Sequence, residues 1–144
     1  MGLMSLLALP PKAHAEFTPI LNLKASYPQK ASAEFGVIFG NVYDSDWAKD
    51  ARGIVLSVEP GLSGTKAHLG YGVFGAGVGV GVASARITAT YMRATESTGS
   101  LDKGDDYAGL QVTASFFFVV GTVGVLRNTS RNDYLATAGI GIGW

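Results

Sequence analysis

Ala136-Thr137-Ala138-Gly139-Ile140-Gly141-Ile142-Gly143-Trp144 alternates with a strict period of two. Successive side chains of a β-strand point to opposite faces. Ala136, Ala138, Ile140, Ile142 and Trp144 therefore share one face, while Thr137, Gly139, Gly141 and Gly143 share the other. A soluble sandwich would turn the isoleucines inward and set polar groups, not glycines, toward water. The glycine face has to look at something crowded.

The same inversion runs back along the chain. Phe35, Val37 and Phe39 alternate with Glu34, Gly36, Ile38 and Gly40, and Ile54, Leu56 and Val58 alternate with Gly53, Val55, Ser57 and Glu59. Leu69, Tyr71 and Val73 alternate with His68, Gly70 and Gly72; Leu110, Val112, Ala114 and Phe116 alternate with Gly109, Gln111, Thr113 and Ser115. Turn signals divide the chain after residue 15 into eight expected strands: Thr18–Tyr27, Ser32–Tyr43, Ala51–Pro60, Thr65–Phe74, Gly77–Ala94, Asp106–Phe117, Val119–Arg127 and Asp133–Trp144. The fifth changes phase between Val82 and Ala85, which predicts a bulge. Ser45–Arg52 offers one helical turn capped by Asp44 or Ser45 as a local alternative.

An antiparallel, up-and-down transmembrane β-barrel explains the inversion. Lipid requires an apolar outside, and every backbone polar group must pair within a closed sheet. At about eight strands the interior is just wide enough for side chains to fill. Glycines on the inner face make room for the larger residues opposite them. With both termini on the periplasmic side, Tyr27, Tyr91, Tyr107 and Tyr134 fall at external strand ends, and Phe17, Tyr43, Trp47, Phe74, Phe116 and Trp144 at periplasmic ends. Two aromatic girdles are what such barrels carry at their interfaces. Two rivals remain: membrane helices over Tyr107–Leu126 and Leu69–Ala85, neither of which contains a charged residue, and a soluble exported β-domain. The period-two spacing of Gly77, Gly79 and Gly81, and of Gln111, Thr113 and Ser115, opposes the helices.

On these residues the chain resembles the small eight-stranded outer-membrane barrels, the architectural class of the OmpA membrane domain, OmpX and OmpW. The pattern Tyr134, Ile140, Ile142, Trp144 is similar to the C-terminal signal read by the outer-membrane assembly machinery. The resemblance implies an outer-membrane location in a Gram-negative-type envelope, with outer-membrane lipid and that machinery as partners. It carries no particular activity with it.

Composition narrows the reading. The 144 residues suit one domain, formal net charge is zero, and no basic surplus exists to bind nucleic acid. There is no cysteine for disulfides or thiolate metal sites. Leu3–Leu9 is a short apolar run followed by Pro10-Pro11 and Ala13-His14-Ala15, an A-x-A cleavage pattern, although no Lys or Arg precedes it. The expectation is a signal peptide over 1–15 and a barrel domain over 16–144.

A hairpin about Gly61-Leu62-Ser63-Gly64 sets Glu59 opposite Lys66 and Ser57 opposite His68, all facing inward with Glu34, Arg86 and Gln111. Buried charges persist only when paired and hydrogen-bonded, so these seven residues are expected to form a lumenal polar network that plugs the barrel. No catalytic, metal or cofactor residue is assigned. Ser57, His68 and Glu59 contain the groups of a hydrolase, but a narrow lumen is the wrong place for an acyl chain. Asp102, Asp105 and Asp106 read as a solvated loop rather than a Ca²⁺ site. The expected role is structural or surface-interactive, as a monomer; a narrow gated channel and a lipid-modifying enzyme are the alternatives.

Overall fold

The computed structural model describes residues 13–44, 46, 48–77 and 81–143. Its strands are β1 (Ala13–Tyr27), β2 (Lys30–Asp44), β3 (Ala48–Gly61), β4 (Gly64–Gly77), β5 (Gly81–Ala94), β6 (Asp106–Phe116), β7 (Val119–Asn128) and β8 (Tyr134–Gly143). Each is antiparallel to its sequence neighbours, and β8 pairs with β1 to close the ring. Leu69–Ala85 and Tyr107–Leu126, the two candidate helices, contribute to strands β4 to β7. No described helix is long and apolar enough to cross a membrane.

The ladder fixes the barrel's dimensions. Walking straight across the sheet leads from Ala13 to Tyr43, Asp50, Gly75, Ala83, Phe116, Val119, Ile142 and back to β1 at Leu23. The circuit returns ten residues further along β1 than it began. With ordinary strand rise and spacing, a shear of ten over eight strands corresponds to a tilt of about 41°. A barrel of this size leaves a lumen that side chains can fill.

Burial alternates along every strand. Leu56, Leu69, Leu110, Val123 and Ile140 point outward and are exposed, Ile140 at 64%, while Ser57, His68, Gln111, Thr122 and Thr137 point inward and are buried. Glycines are required on the inner face because the backbones approach closely there. A Cβ on Gly70 would lie 2.0 Å from the Ile87 carbonyl oxygen, and one on Gly141 2.1 Å from that of Leu23. These contacts with fixed backbone explain the bare face of the closing strand.

Several local expectations change. Gly75-Ala76 lies inside β4, not at a break, and β4 and β5 pair with each other from Gly77↔Gly81 onward. The β4–β5 ladder runs unbroken through Val82 and Ala85, and the β5–β6 ladder runs unbroken from Ala83 onward, so the predicted bulge is absent. A Gly/Val alternation satisfies period two without saying where the chain turns. β3 begins at Ala48 and takes up most of the proposed helical turn; Ser45 and Trp47 lie outside the described residues. Phe74 and Tyr107 stand at strand ends as expected but face inward, packed in apolar clusters. Trp144 and most of the proposed leader are outside the described residues, while Ala13, His14 and Ala15 pair with Tyr43, Val42 and Asn41.

The two ends differ. β1 to β4 have 14 or 15 residues, whereas β6 to β8 have 10 or 11. β8 meets β1 only from Asn22 to Tyr27, so Ala13–Leu21 is laddered to β2 alone. The outward face of this extension turns polar at Asn41, Asp50 and Arg52, all exposed.

Candidate functional site

Two carboxylates organise the lumen. Glu34 on β2 accepts from Ser57 Oγ at 2.7 Å, Asn22 Nδ2 at 2.9 Å, Lys24 Nζ at 3.0 Å and Arg86 Nη2 at 2.5 Å. Glu59 on β3 accepts from Ser32 Oγ at 2.8 Å, from Lys24 Nζ, and from His68 Nε2 at 3.3 Å. Lys24 therefore stands between the two carboxylates and is bonded to both. All these side chains are buried, with Glu59, Lys24 and Lys66 at 0% side-chain exposure.

The expected register holds: Glu59 lies opposite Lys66, and Ser57 opposite His68. Of these two adjacencies only Glu59–Lys66 forms an ion pair, and it is not hydrogen-bonded. Lys66 Nζ is 3.7 Å from Glu59 Oε1 and has no hydrogen-bond partner. Ser57 donates to Glu34 rather than to His68, whose Nδ1 instead meets Thr90 Oγ1 at 2.9 Å. The serine–histidine bond on which nucleophile activation depends is not formed. Gln111 is buried in the lumen with its Oε1 unpartnered and has no bond to either carboxylate.

Sequence reading missed Asn22, Lys24, Ser32 and Thr90. The signal for the first two was present, because Asn22, Lys24 and Ser26 alternate with Leu21, Leu23 and Ala25. Glu34, Glu59 and His68 bring potential ligand atoms within 4.8 Å of one another. Lys24 already lies between the carboxylates, and Lys66 and Arg86 add further positive charge, so this donor set does not suit a cation.

Apolar side chains flank the charged belt. Ile20, Ile38 and Val55, with Phe74 against them, fill the lumen toward the end where the chain turns between β2 and β3. Met92, Ala94, Tyr107, Leu126 and Leu135 fill it toward the opposite end. Leu101 joins this second cluster from the β5–β6 loop, and is only 1% exposed. The loop is thus folded across the mouth. Tyr27 Oη meets Ser100 Oγ, Tyr107 Oη donates to the Ser100 carbonyl at 3.3 Å, and Thr95 N donates to the Ser63 carbonyl at 3.0 Å.

From the β7–β8 loop, Arg131 clasps Asp102 at 2.5 Å and also Asp105, while Asn128 Nδ2 donates to Asp105 at 2.7 Å. Two of the three acidic residues read as a solvated loop, Asp102 and Asp105, are the grip of this clasp; Asp106 begins β6 and accepts from Tyr91 Oη at 2.7 Å. Hydrogen bonds from Arg131 and then Asn128 hold the Asp105 carboxyl below its ordinary value. A depressed carboxyl contributes stability above its unfolded value and loses it as pH falls through the lower folded one. The loop should stay seated at pH 5 and loosen only in stronger acid. Arg131→Ala should loosen it at neutral pH, seen as faster amide exchange across residues 95–105 and a shift of the Leu101 methyl resonances. Unchanged exchange in the variant would show that Leu101 and the remaining hydrogen bonds seat the loop without Arg131.

Compared with known protein families, curated proteins and solved structures, the chain matches none. The site therefore rests on its own geometry.

Proposed function

We propose that this chain is an outer-membrane β-barrel with a plugged lumen and a structural or surface-interaction role. The observation that carries the membrane reading is the outward face. Leu21 and Leu23 on β1, Phe35, Val37 and Phe39 on β2, and Ile54, Leu56 and Val58 on β3 begin an apolar belt. It continues through Leu69, Ile87, Val112, Val123 and Ile140, and no charged side chain interrupts it among the described residues. A belt this broad greatly exceeds the exposed apolar patches of soluble monomers. Ten residues of β8 at the tilt derived above rise about 25 Å, the height of an outer-membrane barrel's apolar band. Charge reappears outward only beyond its limits, at Arg52 and Asp50 on one side and Arg93 and Arg127 on the other.

The plug follows from the lumen's contents: a hydrogen-bonded ionic belt between two apolar clusters, under a seated loop. Assembly would use the terminal strand with Tyr134, Ile140, Ile142 and Trp144. Lys24, bonded to both carboxylates, favours a gated channel as the second reading, because it can remain with either one while the other turns away.

Envelope fractionation and electrophoresis test the reading together. The protein should fractionate with outer membranes and run as a compact band that shifts only after boiling. In planar bilayers it should show little conductance. Recovery in the soluble fraction, or strongly helical circular dichroism after refolding, would refute the membrane barrel; frequent wild-type openings would replace the plug with the channel.

A further inference from the structure

The lumen's charges do not balance. Lys24, Lys66 and Arg86 are buried there against Glu34 and Glu59; with all five ionised and His68 neutral, the described lumen has one positive charge in excess. An uncompensated buried cation is costly, and hydrogen bonds to neutral groups offset only part of that cost. Both oxygens of Glu59 already have donors, Ser32 on one and Lys24 with His68 on the other, and Lys66 is left at 3.7 Å.

Beside this belt, toward the Phe74 end, is a small cavity of about 20 Å³. Thr18, Asn22, Phe74, Ser84, Arg86 and Ser115 are among its walls. A cavity of roughly 10–15 Å³ on this measure admits one water-sized species. Arg86 spends Nη2 on Glu34, and a guanidinium has five N–H donors in all. Ser84 and Ser115 share a hydrogen bond at 2.7 Å, in which one hydroxyl donates and the other keeps its hydrogen for a further acceptor. These donors lie together, since Arg86 and Ser84 share the inner face of β5 and Ser115 is Ser84's partner on β6.

We propose that this cavity binds one small monovalent anion of halide size, held by Arg86 and the Ser84–Ser115 pair. The anion restores neutrality and sorts the lumen into three pairs: Arg86 with the anion, Lys24 with Glu34, and Lys66 with Glu59. Asn22 Oδ1 is an unpartnered acceptor on the opposite wall, where Nδ2 is committed to Glu34. It repels negative charge and confines the anion to the β5–β6 side. The cavity's size excludes sulfate and organic anions, so the selectivity is for chloride or bromide. The site belongs to the barrel interior and does not depend on what surrounds the outer wall.

The test is to refold the full chain in bromide, collect anomalous diffraction, and compare urea midpoints in chloride and gluconate at equal ionic strength. A bromide peak within contact of Arg86 and a higher midpoint in chloride are expected. Arg86→Met should abolish both. Lys66→Met, which removes the excess charge without touching the cavity, should sharply reduce the chloride effect, and it keeps the proposal open to refutation if Arg86→Met does not fold. Equal wild-type midpoints with no anomalous peak would overturn the proposal and leave the cavity to water. So would a chloride effect of the same size in wild type and Lys66→Met.

Discussion

Glu59→Gln should destabilise the barrel by about 3–5 kcal/mol, the range for stranding a buried charge by deleting its partner. The substitution removes one of the two buried carboxylates among the described residues, and Lys24 and Lys66 both lose their contact with it. Lys66→Met should cost much less. Glu59 then still has Lys24, Ser32 and His68, and the lumen's cations fall to match its carboxylates. The double variant Glu59→Gln with Lys66→Met returns the lumen to its original net charge and should recover much of the loss, an interaction energy read from a double-mutant cycle. Urea titration of refolded protein measures all three. If Lys66→Met proves as damaging as Glu59→Gln, then Lys66 is the essential partner and the charge count above is wrong.

The hairpin register by itself points the other way. Seen only as a cross-strand pair, Glu59 and Lys66 depend on each other, and losing the lysine leaves the glutamate alone. That register was legible because the Gly61–Gly64 turn and the strict in–out alternation allow no slip. Lys24 was not legible as a partner, because its contact with Glu59 crosses from β1 to β3 over an intervening strand. Such contacts depend on tilt and shear, which emerge only when the ring closes. A hairpin read from the sequence supplies neighbours along a ladder; it cannot say which side chains meet across the lumen.

The apolar clusters escaped for a different reason. Period two identifies the inner face only where the faces contrast in character. Glu34 against Phe35 is decisive, and so is Ser57 against Leu56. Near the ends of the lumen both faces are apolar: Met92 follows Tyr91, Leu126 follows Val125, and Phe74 follows Val73. There the pattern fixes alternation but not direction, and a position near a rim suggests an outward aromatic where Phe74 and Tyr107 in fact turn inward. The loop clasp was invisible for a third reason. Arg131 and Asp102 are brought together by loop conformation, about which strand periodicity says nothing.

Leu69→Arg should destabilise the barrel in a lipid bilayer by about 2–4 kcal/mol, the cost of placing arginine on the lipid face near the midplane of an outer-membrane barrel. Leu69 is outward-facing, 56% exposed, and midway on that face of β4 between Thr65 and Val73. Its lumenal neighbours are His68 and Gly70, so the guanidinium cannot enter the ionic belt without reversing the strand's faces. The partner substitution is Asn41→Arg, outward on β2 in the extension beyond the apolar belt. There the cost should fall to about 0–1 kcal/mol, as it does toward the interface. A soluble barrel makes the opposite forecast: arginine at either exposed position would change stability by no more than about 0.5 kcal/mol, and at Leu69 it would break an aggregation-prone patch. Unfolding from phosphatidylcholine vesicles reads the difference between the two variants directly. Equal, small effects at Leu69 and Asn41 would mean that water, not lipid, faces the apolar belt. A large effect at Leu69 alone would locate the bilayer against β4 between the same limits that the charged residues mark.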